Sequence, residues 1–288
     1  MAPVKIITDS THYLPSDLVA QHDFGVVSLY VNEGGDTTRE SEIVDLDAFY
    51  ARLRGEHALP TTSQPSLGDF LAVYEPELAA GRDIVSIHIT AGISGTIETA
   101  RQAAAEATAK HPGRRVEVVD SDSAAGGLAM VLLGALAAAE AGAGADAVLA
   151  RAEQARDAQE IWFAVDTLDH LRRGGRIGAA QAMLGGALKI KPILTMKGVI
   201  TPVERVRTSG RAFARLVEYA QTLKDRGSDA WIIQHVQAPE QAAALAARAT
   251  EIFGYGPICI SEIGPVVGAH VGPGLLGVGG LPRRLLEP

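Results

Sequence analysis

The sequence predicts an α/β fold built from two domains. Four apolar, β-branched segments run directly into turns rich in hydroxyl and acidic residues. These segments with their turns are 6–11, 87–96, 118–123 and 163–167. A strand that passes through such a turn into a helix is the repeating unit of an open α/β sheet. With 288 residues, 47% of them hydrophobic, the chain can bury a full core in one domain or in two.

The first part of the chain alternates strand-like and helix-like patterns. We predict strands at 4–8, 26–31, 84–89 and 115–119, and helices at 45–54, 66–79, 94–109 and 123–141. This alternation predicts a mostly parallel sheet. The apolar run 124–139 is interrupted by glycines and is too short for a membrane span, so we expect a buried helix.

A second series of elements follows the Gly- and Ala-rich stretch 141–145 and one further helix. Because a new strand begins near Ile161, we place an N-terminal domain at 1–157 and a C-terminal domain at 158–288. The remaining predicted elements are strands 161–165, 193–195, 199–200, 230–236 and 257–263 and helices 209–226 and 239–253. The short turn 196–198 indicates a hairpin, and a hairpin combined with strand–helix units predicts a mixed sheet.

A glycine-rich segment near the C-terminus, 272–277, matches the letters of a dinucleotide-binding motif. That motif needs a following helix, a second strand and an acidic residue, and only 11 residues follow Gly277. We therefore predict a Gly-rich C-terminal loop whose backbone approaches another group closely.

Charge and cysteine content restrict the class of protein. The net charge of −8 argues against nucleic acid as a partner, and the single Cys259 excludes an internal disulfide. The histidines lack the spacing of metal ligands, so neither a metal nor another cofactor is indicated. The N-terminus has no signal-peptide pattern, and we expect a cytoplasmic protein.

Basic residues are unevenly distributed along the chain. The segment 172–215 contains ten basic residues and one acid, Glu204, which gives +9 there and −17 elsewhere. The ten are Arg172, Arg173, Arg176, Lys189, Lys191, Lys197, Arg205, Arg207, Arg211 and Arg215. Scattered surface arginines explain most runs of this kind, and an acidic partner, a phosphate or an anionic membrane surface is the alternative.

Two hydroxyl-rich turns are candidate binding sites. Ligands of open α/β sheets bind beyond the carboxyl ends of the strands, where helix N-termini offer free N–H groups. The turn 61–66, where Pro65 can open a helix, and the turn 92–96 both precede predicted helices. With a histidine near the C-terminus, the candidates are Thr61, Thr62, Ser94, Gly95, Thr96 and His270. These uncharged donors can bind a carboxylate without an ion pair.

The same residues allow catalytic alternatives. The segment 92–96 lacks only the second glycine of a nucleophile elbow, so Ser94 and His270 could act in a serine hydrolase. Asp9 or Asp120 would then complete the triad. Asp9 also follows a strand as in phosphatases with an aspartyl nucleophile, but their second acid is missing, so we expect Asp9 to cap the first helix. We favour a binding turn over a nucleophile.

Several short sequence motifs follow one another in a fixed order over nearly the whole chain. They are 8–11 with Leu14, 60–65, 92–96, 120–121, 171–178, 189–192, 206–208 and 264–270. Together they resemble the DegV family, fatty-acid-binding proteins that serve as the binding subunit of bacterial fatty acid kinase. The resemblance implies two α/β domains with a lipid tunnel between them.

The resemblance also implies roles for individual residues. Thr62 and Ser94 would hydrogen-bond the carboxylate of a long-chain fatty acid, and His270 would support that network. The surface facing the kinase catalytic subunit would include Arg173, Arg176 and Arg207. We therefore expect a non-catalytic carrier that presents its fatty acid for phosphorylation and contacts an anionic membrane transiently. The alternative is a serine hydrolase that uses Ser94 and His270.

Overall fold

The computed structural model describes residues 2–55, 59–183 and 190–288; Lys189 of the basic segment lies outside them. The strands are β1 Val4–Asp9, β2 Phe24–Val27, β3 Tyr30–Glu33, β4 Asp36–Arg39, β5 Thr61–Ser63, β6 Asp83–His88, β7 Val116–Asp120, β8 Glu160–Ala164, β9 Lys191–Lys197, β10 Val199–Val206, β11 Ala230–His235, β12 Ile260–Glu262 and β13 Leu276–Leu281. The α-helices are α1 Ser16–Val19, α2 Leu46–Leu53, α3 Leu67–Ala79, α4 Thr96–Lys110, α5 Gly126–Glu140, α6 Ala145–Ala158, α7 Asp169–Arg173, α8 Ser209–Asp225, α9 Pro239–Phe253 and α10 Pro265–Val271. Short 3-10 helices cover Ser10–His12, Glu40–Glu42, Gly178–Met183 and Arg283–Leu285.

Four parallel strands form the first sheet, in the order β2-β1-β6-β7. This confirms the predicted parallel sheet. The carboxyl ends of β1, β6 and β7 lie side by side, so the turns that follow them meet at one edge. At that edge the buried Asp9 caps the first 3-10 helix, as predicted, by accepting the Thr11 N–H at 3.0 Å. Its other carboxylate oxygen accepts the Ile89 N–H at 2.8 Å and so fixes the turn after β6.

Six strands form the second sheet, in the order β10-β9-β8-β13-β11-β12. β11 and β12 are parallel and the other neighbours are antiparallel, so the predicted mixed sheet is confirmed. The hairpin between β9 and β10 turns at Gly198, which has a φ of +70° that suits glycine.

The prediction of a Gly-rich C-terminal loop is wrong from Leu276 onward. There the chain enters β13, which lies between β8 and β11. Gly277 pairs with Phe163 on one side and Gln234 on the other, and a Cβ at Gly277 would lie 3.2 Å from the Phe163 Cβ. Glycine weakens the strand pattern in the sequence, but here it relieves crowding between neighbouring strands.

A small antiparallel sheet, in the order β4-β3-β5, is a feature that the sequence does not predict. The single strand expected at 26–31 is divided into β2 and β3, which belong to different sheets. β5 pairs with β3 and carries Thr62. α3 begins after Ser66, whose hydroxyl accepts the Asp69 N–H at 3.2 Å, so Pro65 does not open this helix as expected.

Helix α5 lies between the two larger sheets and is buried along most of its length. Its apolar cluster includes Ile6 and Val85 from the parallel sheet and Ile232 and Leu281 from the mixed sheet. The predicted buried helix is confirmed, and the two sheets share its apolar surface. None of the helices in 2–55, 59–183 and 190–288 is long and apolar enough to cross a membrane.

The turn after β6 packs closely against the β9–β10 hairpin. Thr90 Oγ1 donates to the Gly198 carbonyl at 3.2 Å, and the Gly198 N–H donates to the Asp122 carbonyl at 2.6 Å. A Cβ at Gly92 would lie 2.0 Å from the Gly198 carbonyl oxygen. This contact between the two sheets therefore requires glycine at position 92.

We expect Gly92→Ala to lower the free energy of unfolding by roughly 1–3 kcal/mol, because backbone must move to admit the methyl group. Chemical denaturation measures this loss. Gly210→Ala in α8 is the matched control, since its Cβ would meet nothing within 4 Å. The control should gain about 0.5–1 kcal/mol from helix propensity. Equal stability of the two variants would contradict the close contact.

Candidate functional site

A cavity of about 230 Å³ lies between the parallel sheet and the mixed sheet. Residues from both halves of the chain line it, and most of them are apolar. The larger apolar side chains are Leu29, Ile89, Ile93, Ile161, Phe163, Leu171, Met196, Ile200, Ile263, Val266, Val267, Val271 and Leu275. A cavity with this lining favours a ligand with a long apolar part.

Thr62, Ser94 and His270 are among the polar residues of the lining, which also include Ser63, Gln64, Ser123, Arg176 and Gln234. Thr62 on β5 and His270 on α10 share a hydrogen bond of 2.8 Å between Oγ1 and Nε2. Either group can be the donor, depending on the imidazole tautomer. Burial lowers the pKa of His270 to about 4, and the positive charge of Arg176 adds to this effect. The imidazole is therefore neutral near pH 7.

Ser94 and Gly95 line the same cavity just before α4. Ser94 Oγ shares a 2.8 Å hydrogen bond with Thr96 Oγ1 and accepts the Thr96 N–H at 3.3 Å. A Cβ at Gly95 would lie 2.3 Å from Gln64 Oε1, so the Gln64 side chain lies directly against Gly95. The first hydroxyl-rich turn and the second one are thus in contact.

Two of the predicted binding residues are not part of the lining. Thr61, the first residue of β5, is exposed. Thr96 is fully buried and reaches the cavity only through its hydrogen bond to Ser94. The structure therefore brings together Thr62, Ser94 and His270, with Gly95 beside them.

Arg176 lines the cavity, which sequence reasoning missed. Its Nε donates to the Ile93 carbonyl at 3.2 Å and its Nη1 to the Gly174 carbonyl at 2.6 Å. Arg176 therefore brings a positive charge to the lining beside the predicted uncharged donors. By contrast, Arg173 and Arg207 are exposed.

The contacts of the candidate triad residues do not form a serine–histidine–aspartate chain. His270 bonds Thr62, and Ser94 bonds Thr96. Asp9 Oδ2 lies 3.1 Å from Nδ1 of another histidine, His88, on β6. Asp120 accepts the backbone N–H groups of residues 91 and 122. Within the part of the chain that the structure describes, no group of three histidine, cysteine or carboxylate side chains could hold a metal ion.

Part of the cavity wall comes from one face of the mixed sheet. Phe163, Gly277 and Gln234 lie side by side on β8, β13 and β11, and all three line the cavity. Because Gly277 has no side chain, the centre of this wall is recessed between its neighbours. Gln234 itself is held by the Gly126 N–H at the start of α5 and by Ser261 Oγ.

Comparison with known proteins gives one consistent result. A family model described as "Uncharacterised protein, DegV family" matches residues 3–283. A DegV domain-containing protein of Streptomyces coelicolor is 41% identical over 281 residues, covering 96% of this chain and 97% of the relative. The solved structure of a DegV family protein from Thermus thermophilus, described by its fatty acid binding, has a TM-score of 0.87 and 35% identity over 97% of this chain and 99% of that one. That of DegV from Bacillus subtilis, described as a fatty acid binding protein, has a TM-score of 0.84 and 30% identity over 98% and 100%.

The depressed pKa of His270 predicts a pH dependence of stability. Between its usual pKa of 6.5 and about 4, the folded protein leaves His270 neutral while the unfolded chain protonates it. Stability from this residue is therefore present above pH 6.5 and is lost as the pH falls toward 4. Urea denaturation measures the free energy of unfolding of the unchanged protein and of His270→Gln. As the pH is lowered from 6.5 toward 4, the unchanged protein should lose more stability than the variant. A difference that is constant with pH would contradict a buried, neutral imidazole.

Proposed function

Since this chain belongs to the DegV family, we propose that its cavity binds one long-chain fatty acid with the carboxylate at Thr62, Ser94 and His270. The observation that carries the proposal is the distribution of polarity in the cavity. Its walls are mostly apolar, whereas the Thr62 hydroxyl and the His270 imidazole meet in its lining, to which the Ser94 hydroxyl also belongs. An amphipathic molecule with a small polar head and a long tail has the matching distribution.

The acyl tail supplies most of the affinity in this proposal. Each buried methylene contributes roughly 0.8 kcal/mol, so a sixteen-carbon chain contributes on the order of 10 kcal/mol before ordering costs are subtracted. The recess over Gly277 gives the tail a path along the face of the mixed sheet. The same surface would bind a ligand without a carboxylate, so the head-group residues provide the selectivity.

The head-group residues offset the desolvation of the carboxylate. Burying an ionised carboxylate without partners costs several kcal/mol or more. The hydroxyls of Thr62 and Ser94 can donate to it, and His270 can support the Thr62 hydroxyl as hydrogen-bond acceptor. Nε and Nη1 of Arg176 already donate to backbone carbonyls, so we propose that its charge acts mainly through the electrostatic field.

We propose that the protein is a carrier and not an enzyme, and that a separate fatty acid kinase phosphorylates the bound carboxylate. Neutral donors leave the carboxylate oxygens more available to a phosphoryl donor than a bidentate ion pair would. The exposed Arg173 and Arg207 are candidates for contact with this kinase, and Arg176 links that surface to the head-group end. The same basic segment would allow transient contact with an anionic membrane.

We also propose that the two domains are 1–157 and 158–288, as the sequence suggests. Cavity residues come from both sides of this boundary, for example Ile89 and Ser94 from one and Phe163 and His270 from the other. A small relative movement of the two units would then widen the cavity mouth, which is how a long ligand could enter.

We expect Thr62→Val with Ser94→Ala to weaken the binding of palmitate at least about tenfold, because two hydrogen bonds to a charged group are lost. Displacement of a fluorescent fatty acid measures the affinity. Lipid extraction and mass spectrometry of the unchanged protein should also identify a co-purified fatty acid. The matched control is Thr201→Val with Ser41→Ala, both of which are exposed.

Two results would contradict this account of the site. One is equal palmitate affinity of the double variant and its control. The other is covalent labelling of the protein by a fluorophosphonate probe that is lost in Ser94→Ala, which would instead support the serine hydrolase that uses Ser94 and His270.

We expect Arg173→Glu with Arg207→Glu to slow acyl-phosphate formation by a fatty acid kinase with ATP, while palmitate affinity stays unchanged. Reversing these exposed charges weakens the electrostatic attraction between the protein and the kinase. The rate should then depend less on salt concentration. The control is Arg101→Glu with Arg284→Glu, which changes the net charge by the same amount at other exposed positions. Equal rates for the two double variants would place the kinase contact elsewhere.

A further inference from the structure

A buried carboxylate, Glu40, lies where early and late parts of the chain meet. Only 5% of the residue is exposed, and its side chain makes three hydrogen bonds. Glu40 Oε1 accepts the Tyr13 hydroxyl at 2.7 Å and the Val266 N–H at 2.7 Å, and Oε2 accepts the Ser10 hydroxyl. The carboxylate thus joins the first 3-10 helix to the first turn of α10.

Two tyrosines extend this contact along the same stretch of backbone. Tyr13 Oη accepts the Val267 N–H at 3.1 Å. Tyr50 Oη donates to the Ile263 carbonyl at 2.6 Å and lies 3.1 Å from the Gly264 carbonyl. We call Tyr13, Glu40 and Tyr50 the α10 clamp.

The fit between the α10 clamp and this backbone is close. A Cβ at Gly268 would lie 2.0 Å from Tyr50 Oη, and a Cβ at Gly264 would lie 2.5 Å from Tyr13 Cε1. Glycine at both positions lets the side chains of Tyr13 and Tyr50 lie directly against α10. The position of the helix is therefore fixed from one side.

Helix α10 connects the clamp to the cavity. Gly264, which precedes the first residue of α10, has no side chain to cap the helix, so Glu40 takes the place of a capping residue for the Val266 N–H. Val266 and Val267 line the cavity within the first turn, and His270 bonds Thr62 one turn later. A shift of α10 would move the cavity wall and the imidazole together.

We propose that Glu40 is a positioning residue for fatty acid binding, which holds α10 so that His270 meets Thr62 and the apolar wall keeps its place. This inference rests on the proposed function and adds a residue that does not touch the ligand. Burial raises the pKa of Glu40 to about 7, and no basic side chain among the described residues hydrogen-bonds it.

The test compares three variants of the full-length protein by palmitate affinity, melting temperature and the imidazole nitrogen signals of His270 in NMR. Glu40→Ala leaves the Val266 N–H and the Tyr13 hydroxyl without their acceptor. We expect it to weaken palmitate binding about tenfold and to shift the His270 signals in ligand-free protein. Glu40→Gln retains an acceptor oxygen and should bind palmitate within about threefold of the unchanged protein.

Tyr74→Phe is the control for a general loss of stability. It removes a buried 2.7 Å hydrogen bond to Ser86 beneath the parallel sheet, away from α10. We expect it to lower the melting temperature while palmitate affinity and the His270 signals stay unchanged. If Tyr74→Phe weakens binding as much as Glu40→Ala does, the effect is one of stability and the positioning role is overturned.

The remaining outcomes separate this inference from the proposed function. If Glu40→Ala binds palmitate like the unchanged protein while Thr62→Val binds weakly, the positioning role is overturned and the proposed function stands. If the unchanged protein does not bind palmitate or any fatty acid, both fail. Weak binding by Glu40→Ala, recovery in Glu40→Gln and shifted His270 signals together support the proposal.

Discussion

The hydrogen bond between Thr62 and His270 joins two parts of the chain that are 208 residues apart, and the polar lining of the cavity depends on it. Thr62 lies on a short strand of the small antiparallel sheet, and His270 lies on the short helix α10, which contacts α2, α7 and that sheet. Neither element is stable by itself, because the strand has only a few residues and the helix has fewer than three turns. Their positions come from tertiary contacts, above all the buried helix α5 between the large sheets and the α10 clamp. The chemistry of the site is therefore a property of how the two halves pack.

The sequence predicts the large-scale fold because its patterns are strong where packing is regular. β1, β6 and β7 are apolar strands followed by hydroxyl-rich turns, and α5 is a long apolar helix with small residues. The failures fall where local signals are weak. β13 is rich in glycine and was interpreted as a loop, although a backbone between two neighbouring strands needs glycine to avoid crowding. β2 and β3 run together in the sequence, and only tertiary pairing assigns them to different sheets.

In the candidate site, too, some residues can be predicted from local sequence, whereas others are recognised only from their tertiary contacts. Hydroxyl-rich turns and a resemblance predict Thr62, Ser94 and His270, and all three line the same cavity. The resemblance assigns Arg176 to the kinase-facing surface, and the run of basic residues does not reveal that this side chain turns inward. Glu40 gave no signal at all, since one glutamate in a polar segment resembles any exposed residue. Its importance becomes visible only when the Val266 N–H is found to bond its carboxylate.

The electrostatics of the cavity follow from these placements. Burial keeps His270 neutral, whereas Arg176 brings one positive charge to the head-group end. A carboxylate there would be balanced in charge while its closest donors remain uncharged, a compromise between binding and reactivity. The most direct measurement is a crystal structure with bound palmitate. The account predicts carboxylate oxygens within about 3 Å of Thr62 Oγ1 and Ser94 Oγ and a tail that passes over Gly277. A palmitate carboxylate bound away from both hydroxyls, or a tail outside the space between the two sheets, would contradict it.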